Sequence, residues 1–123
     1  MSYNKLWGNS MIRPHRLLKL YLLWVFHKGP KCGYDIKKEL EEITEHKALS
    51  NAVIYLRLKE LERKGLIEGS QGSRNKTIYT ITAKGDEELE RERVKTRHYL
   101  LKFQDLLEFV LDAPIGGTDH EST

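Results

Sequence analysis

The sequence predicts a mainly α-helical fold with one small β-hairpin: a winged helix-turn-helix carrying a long C-terminal helix. Three observations predict it. Three helix-like segments follow one another between Arg13 and Lys64. Two β-rich stretches then flank a glycine-centred tip at residues 69–75, and a charged helical segment with an apolar stripe at its far end completes the chain.

Residues 1–12 are mostly polar and read as an N-terminal arm; 13–82 form the winged unit, 83–112 the C-terminal helix and 113–123 a disordered tail. The first helix runs from Arg13 to Lys28, is apolar on nearly every face, and stops at Gly29-Pro30. A helix of that kind is buried in its own domain or against a partner chain. The second spans Asp35 to Thr44, with Tyr34, Ile36, Leu40 and Ile43 on one stripe. After a turn at 45–49, Ser50 N-caps a third helix from about Asn51 to Lys64, ended by Gly65. Leu66-Ile67-Glu68 and Thr77–Thr82 are the outgoing and returning strands of the hairpin. Thr82 then caps a single helix reaching about Leu111, with Asp86, Glu87 and Glu88 in its early turns where the helix dipole favours acids.

The net charge of +3 conceals an uneven distribution. Residues 1–30 carry five basic side chains and no acidic one, and residues 46–82 carry seven basic against three acidic. The segments 31–45 and 83–123 are net acidic. Two basic blocks suit a phosphate-binding surface, although charge alone fits scattered solvated residues equally well. Cys32 is the only cysteine, so no intrachain disulfide forms and a reducing compartment is expected. The longest apolar run, Leu20 to Phe26, is far short of the roughly 20 residues a bilayer span needs. A soluble, cytoplasmic and nucleoid-associated protein with no membrane partner follows as the expectation.

At 100° per residue, Ile54, Leu58 and Leu61 of the third helix share a narrow sector and should face the core. The opposite sector holds Ala52, Leu56, Lys59 and Arg63, with Asn51 and Tyr55 towards its edge. A helix presenting such a face fits the major groove of double-stranded DNA, about 12 Å wide. Ser50 and Ala52 belong to the same surface. Asn51 and Lys59 are placed to reach base edges, and Tyr55, Lys59 and Arg63 to reach phosphates. Leu56 either touches a thymine methyl or packs on the hairpin or first helix. At the tip, Ser73, Arg74, Asn75 and Lys76 surround the approach that Gly72 permits, and Arg74 and Lys76 can pair with phosphates.

Leu100, Phe103, Leu107 and Val110 alternate by three and four, and Tyr99, Leu106 and Leu111 widen the stripe. This stripe is the expected dimerisation surface, packed on Leu17, Tyr21 and Trp24 of a partner's first helix. A homodimer would set two reading helices on a palindromic site about 34 Å apart.

An enzyme is not expected: no phosphate loop, metal-spaced Cys/His cluster or nucleophile motif is present, and the five histidines are scattered. No cofactor or metal is implied. Cys32 beside the second helix offers a redox switch only as a minor alternative. The runner-up function is a winged helix used for protein–protein contacts or RNA binding, which would not depend on Lys59, Arg63 and Arg74.

The ordered set Gly29-Pro30, Gly33-Tyr34-Asp35-Ile36, Ser50-Asn51-Ala52-Val53-Ile54-Tyr55, Leu58 to Ile67, and Tyr79-Thr80-Ile81-Thr82-Ala83-Lys84-Gly85 resembles the PadR-type transcriptional regulators over about residues 16–90. The resemblance implies a winged-helix dimer, most often a repressor, with Tyr55 on the DNA backbone and one C-terminal helix building the dimer, the short form of the family. The family's reading helix commonly carries glycine-threonine before its hydrophobic-tyrosine pair and proline after it; Ala52, Val53 and Leu56 stand there instead, a departure that bears on the sequence recognised. Some members answer to phenolic or multidrug-like ligands. Tyr21, Trp24 and Phe103 are candidate lining for such a small aromatic effector, although core packing is the commoner reason for aromatics at helical spacing.

Overall fold

A computed structural model of the chain describes residues 14–44 and 51–115. The N-terminal arm, the turn at 45–49, Ser50 and most of the C-terminal tail lie outside the described residues. The element order is α1 (Pro14–Lys28), β1 (Lys31–Cys32), α2 (Gly33–Thr44), α3 (Asn51–Arg63), β2 (Ile67–Gln71), a 3-10 turn (Ser73–Asn75), β3 (Thr77–Ile81), α4 (Ala83–Leu101) and α5 (Gln104–Leu111).

One core joins these elements. Leu22, Leu23, Val25 and Phe26 of α1 meet Ile36 and Leu40 of α2, Ile54, Leu58 and Leu61 of α3, and Leu66, Ile67 and Tyr79 around the hairpin. The three α3 residues are those the helical wheel selected. Tyr79 adds a tilted ring contact to Phe26, centroids 6.0 Å apart. The α1 helix is divided between two environments, because Leu17 and Trp24 lie exposed on its other side.

Three expectations are corrected. The sheet has three antiparallel strands in the order β1-β3-β2, not two. Lys31 pairs with Tyr79 and Cys32 with Ile78, and a two-residue strand is too short to show the alternation by which strands are read. In α2, Ile36 and Leu40 are buried, but Tyr34 and Ile43 at the two ends of the expected stripe are exposed. The C-terminal helix is not continuous. Lys102 and Phe103 donate their backbone N–H groups to Tyr99 and Leu100, an i→i−3 pattern that closes α4 before α5 begins. No proline or glycine marks this break, so the sequence carries no conventional stop signal there.

Two capping expectations hold at the residues named. Gly65 ends α3 with φ of 77°, its N–H donating to Glu62 O and that of Leu66 to Leu61 O, the paired bonds of a Schellman cap. The Thr82 hydroxyl accepts from Gly85 N at 2.9 Å and donates to Gly65 O at 2.7 Å, so one side chain caps α4 and ties it to the end of α3.

The α4 helix crosses α1 through charge rather than through a wide apolar seam. Glu92 is only 3% exposed. Its carboxylate lies 3.5 Å from Arg16 and 3.7 Å from Lys19, while Lys19 also holds Glu88 at 2.6 Å. A buried carboxylate needs such partners, since an unpaired one would carry its full desolvation penalty. Burial pushes the Glu88 carboxyl up, but hydrogen bonds from Lys19 and Arg91 outweigh it and hold the group below the ordinary glutamate value.

Candidate nucleic-acid interface

The buried triplet Ile54, Leu58 and Leu61 fixes the rotation of α3, and that rotation decides what the helix shows to solvent. Asn51, Ala52, Tyr55, Leu56, Lys59 and Arg63 are all exposed. Lys59 and Arg63 form no ion pair among the described residues, whereas Arg57, on the flank, is held by Glu60 at 2.8 Å. The outer face therefore carries two cations free to meet an external anion. Leu56 is 55% exposed. That value removes the reading in which it packs firmly on the hairpin or α1 within the subunit, and leaves an apolar tip pointing outward.

Tyr55 has a support that the wheel could not show. A Cβ placed on Gly33 would lie 2.6–2.9 Å from the ring and hydroxyl of Tyr55. The ring therefore rests directly on the backbone at the start of α2, in space only glycine leaves open. Tyr55 is still 41% exposed. Its aromatic body is braced and part of its surface remains available. Gly33 is thus a residue of this surface that pattern reading missed as such, although it stood within the quoted Gly33-Tyr34 motif.

The hairpin tip is built tightly. Gly72 N donates to Lys76 O at 2.6 Å, and Lys76 N donates to Ser73 O. Arg74 and Asn75 both adopt left-handed backbone, at φ 58° and 61°. Asparagine tolerates that region, and the Gln71 amide donates to the Asn75 carbonyl oxygen at 3.3 Å. Arginine has no such local compensation and costs about 1 kcal/mol there. Ser73, Arg74, Asn75 and Lys76 are all exposed. The base of the hairpin meets α3 where Glu62 and Tyr79 crowd Gly69. Glu62, exposed on the same helix edge as Asn51 and Tyr55, is an acidic member of the surface that the expected set omitted.

The second expected surface divides differently. Leu17 and Trp24 are exposed and Tyr21 is half-buried, and together with Leu20, Leu89 and Leu100 they line an open groove of about 770 Å³ between α1 and α4. Tyr21 and Trp24 lie 5.9 Å apart by ring centroid, and the Lys28 ammonium sits 3.7 Å from the Trp24 ring. Phe103 does not line this groove within the protomer. It stands in the α4–α5 turn, 5.9 Å from the Tyr99 ring. Leu106 and Val110 are exposed and Leu107 is half-buried. No residue of α5 is buried.

Among the described residues, no helix is long and apolar enough to cross a membrane, and no group of three His, Cys, Asp or Glu is placed to hold a metal ion. Cys32 is buried and its thiol donates to Asp35 at 3.3 Å.

A three-helix head with a short sheet, an outward cationic helix and a left-handed basic hairpin tip together define a winged helix-turn-helix protein. Residues 22–91 match the PadR-like family of transcriptional regulators, and the chain belongs to that family. An uncharacterized HTH-type transcriptional regulator of Methanocaldococcus jannaschii is 39% identical over 75 residues, which is 58% of this chain and 68% of that one. Among solved structures, a transcriptional regulator from Thermoplasma acidophilum is 31% identical with a TM-score of 0.62, covering 76% of this chain and 93% of that one. PadR of Bacillus subtilis, solved in complex with operator DNA, is 35% identical with a TM-score of 0.54; the match covers 63% of this chain and 47% of that longer one.

Proposed function

We propose that this regulator reads double-stranded DNA as a homodimer, with α3 in the major groove and the hairpin tip on the neighbouring backbone or minor groove, and that it acts as a cytoplasmic, nucleoid-bound repressor. The observation that carries the reading is the outward face of α3, where Lys59 and Arg63 stand exposed, with no ion pair among the described residues, beside a braced Tyr55. The 35% identity to a relative solved on operator DNA supports the same assignment. Repression rests on the family resemblance.

Self-association draws support from uncovered apolar surface. The α1–α4 groove and the exposed Leu106, Phe109 and Val110 of α5 give one chain both a socket and an apolar helix to fill a partner's. A planar aromatic effector is a secondary reading, carried by Tyr21 and Trp24 in that groove. It competes with the partner helix for one space.

The test is selection of DNA from a random pool by the purified protein, followed by anisotropy titration of the enriched site. Lys59→Ala and Arg63→Ala should each weaken binding by about 5- to 150-fold, the range of a lost base or phosphate contact. Failure to enrich any sequence, or affinity indifferent to both substitutions, would favour a winged helix built for protein or RNA contact.

A further inference from the structure

The flank of α4 opposite the apolar groove faces a second concavity, about 360 Å³, enclosed by α1, α3 and α4. Its floor includes Leu22 and Leu61, and its walls are almost entirely charged. Each wall carboxylate already has a cation: Glu92 has Arg16 and Lys19, Glu88 has Lys19 and Arg91, and Glu60 has Arg57. The hydrogen bond from Arg57 holds the Glu60 carboxyl below the ordinary range, so that charge is fully present at neutral pH.

What remains is a positive surplus. Five cationic side chains line the cleft against three carboxylates. Lys64 and Lys95 form no ion pair with any described residue. The Nε of Arg57 is buried and has no hydrogen-bond partner among the described residues. A buried donor without an acceptor is uncommon in a native fold, and a group lodged against this guanidinium, whose NH1 is already held by Glu60, would supply one. A concave wall with a low-dielectric floor also concentrates the field of unpaired ammonium groups. The surplus of two charges matches one dianionic oxyanion, whose oxygens suit a guanidinium and two ammonium groups at once.

We propose that the cleft between α1, α3 and α4 binds a phosphate group through Arg57, Lys64 and Lys95. Two sources share this chemistry. One is a free phosphate monoester acting as an effector behind the reading helix. The other is a backbone phosphate of the DNA that flanks it. Arg57 belongs to α3 and Lys64 follows directly on its last turn, so either source would bear on the reading helix from its inner side.

The probe is inorganic phosphate, titrated into the DNA-free protein at fixed ionic strength with chloride as the balancing salt, and the readout is the thermal midpoint. A saturable rise of about 5 °C at ten times the dissociation constant is expected. Lys95→Ala and Lys64→Ala, both at exposed positions, should each remove at least half of that rise, while Lys38→Ala on α2, outside the cleft, should keep it. Equal midpoints in phosphate and chloride would overturn the site, as would a full rise retained by both cleft variants. The salt dependence of DNA affinity then separates the sources. A slope reduced by about 0.9 in Lys95→Ala assigns the site to a DNA phosphate, and an unchanged slope assigns it to a free phosphate ester. Because the phosphate titration contains no DNA, it stands or fails independently of the DNA-reading assignment.

Discussion

The head of the molecule and its two C-terminal helices solve the same problem in opposite ways. In the head, each helix contributes side chains to one core: Ile54, Leu58 and Leu61 are sealed by α1, α2 and the hairpin, and the apolar side chains left outside, such as Leu56 and Ile43, are scattered among charged ones. In α4 and α5 most of the large apolar side chains are exposed, Leu89 on the core being an exception, and Phe109 is 82% exposed. The buried residues of α4 are a glycine and a glutamate. The difference teaches that the head has a core of its own, whereas the C-terminal region has an apolar surface that no described residue of the chain covers.

That contrast can be broken at several points. The largest effect should come from Leu58→Ala, which opens a cavity in the head and should cost about 2–5 kcal/mol in urea denaturation. If the loss is under 1 kcal/mol, the head is not the stable unit described. Phe109→Asp should leave the denaturation midpoint of dilute protein within about 0.5 kcal/mol of the parent, since the ring touches little in one subunit. In sedimentation it should weaken self-association at least tenfold, or about 1.4 kcal/mol. Unaltered association would remove α5 from the interface.

Gly33→Ala places a methyl group where the Tyr55 ring now lies. The ring is partly exposed and able to swing away, so the fold should survive while DNA affinity drops by roughly 1 kcal/mol, as for a displaced contact. A variant that binds as tightly as the parent would show that the position of Tyr55 is not used. Arg74→Gly should separate stability from function by sign. It relieves the left-handed arginine and should raise stability by about 0.5–1 kcal/mol while weakening DNA binding. A loss of both would mean that Arg74 holds the wing together.

The smallest effect concerns acid. The folded-state pKa of Glu88 is depressed, so its contribution is present above the ordinary glutamate value and is lost as pH falls through the lower folded value. Glu88→Gln should flatten the acid limb of a stability–pH curve below the ordinary glutamate value without moving its neutral plateau by more than about 1 kcal/mol. An unchanged acid limb would detach Glu88 from the α1–α4 contact.

The head was readable in advance because its residues obey local rules. The 3.6-residue period picked the buried triplet of α3, and Gly65 and Thr82 announced the caps found there. What escaped depends on contacts between segments distant in sequence. β1 exists because Lys31 and Cys32 find a partner in β3, and Gly33 matters because Tyr55 arrives above it. The α4–α5 break fell in a run that offers no glycine or proline, so the apolar stripe alone suggested one long helix. Tyr34 and Ile43 show the same limit at the ends of α2, where periodicity continues but the core does not.

The ion pair between Glu92 and the two cations of α1 has a mechanical meaning. It ties α4 to α1 through a sheltered carboxylate and two partly exposed cations, so that salt screens the contact less than it would a fully exposed pair. A twofold assembly built on α4 and α5 would hold its reading helices like the jaws of a locked caliper. Such an instrument accepts one gap between half-sites and rejects DNA in which a single inserted base pair has turned the second half-site out of reach.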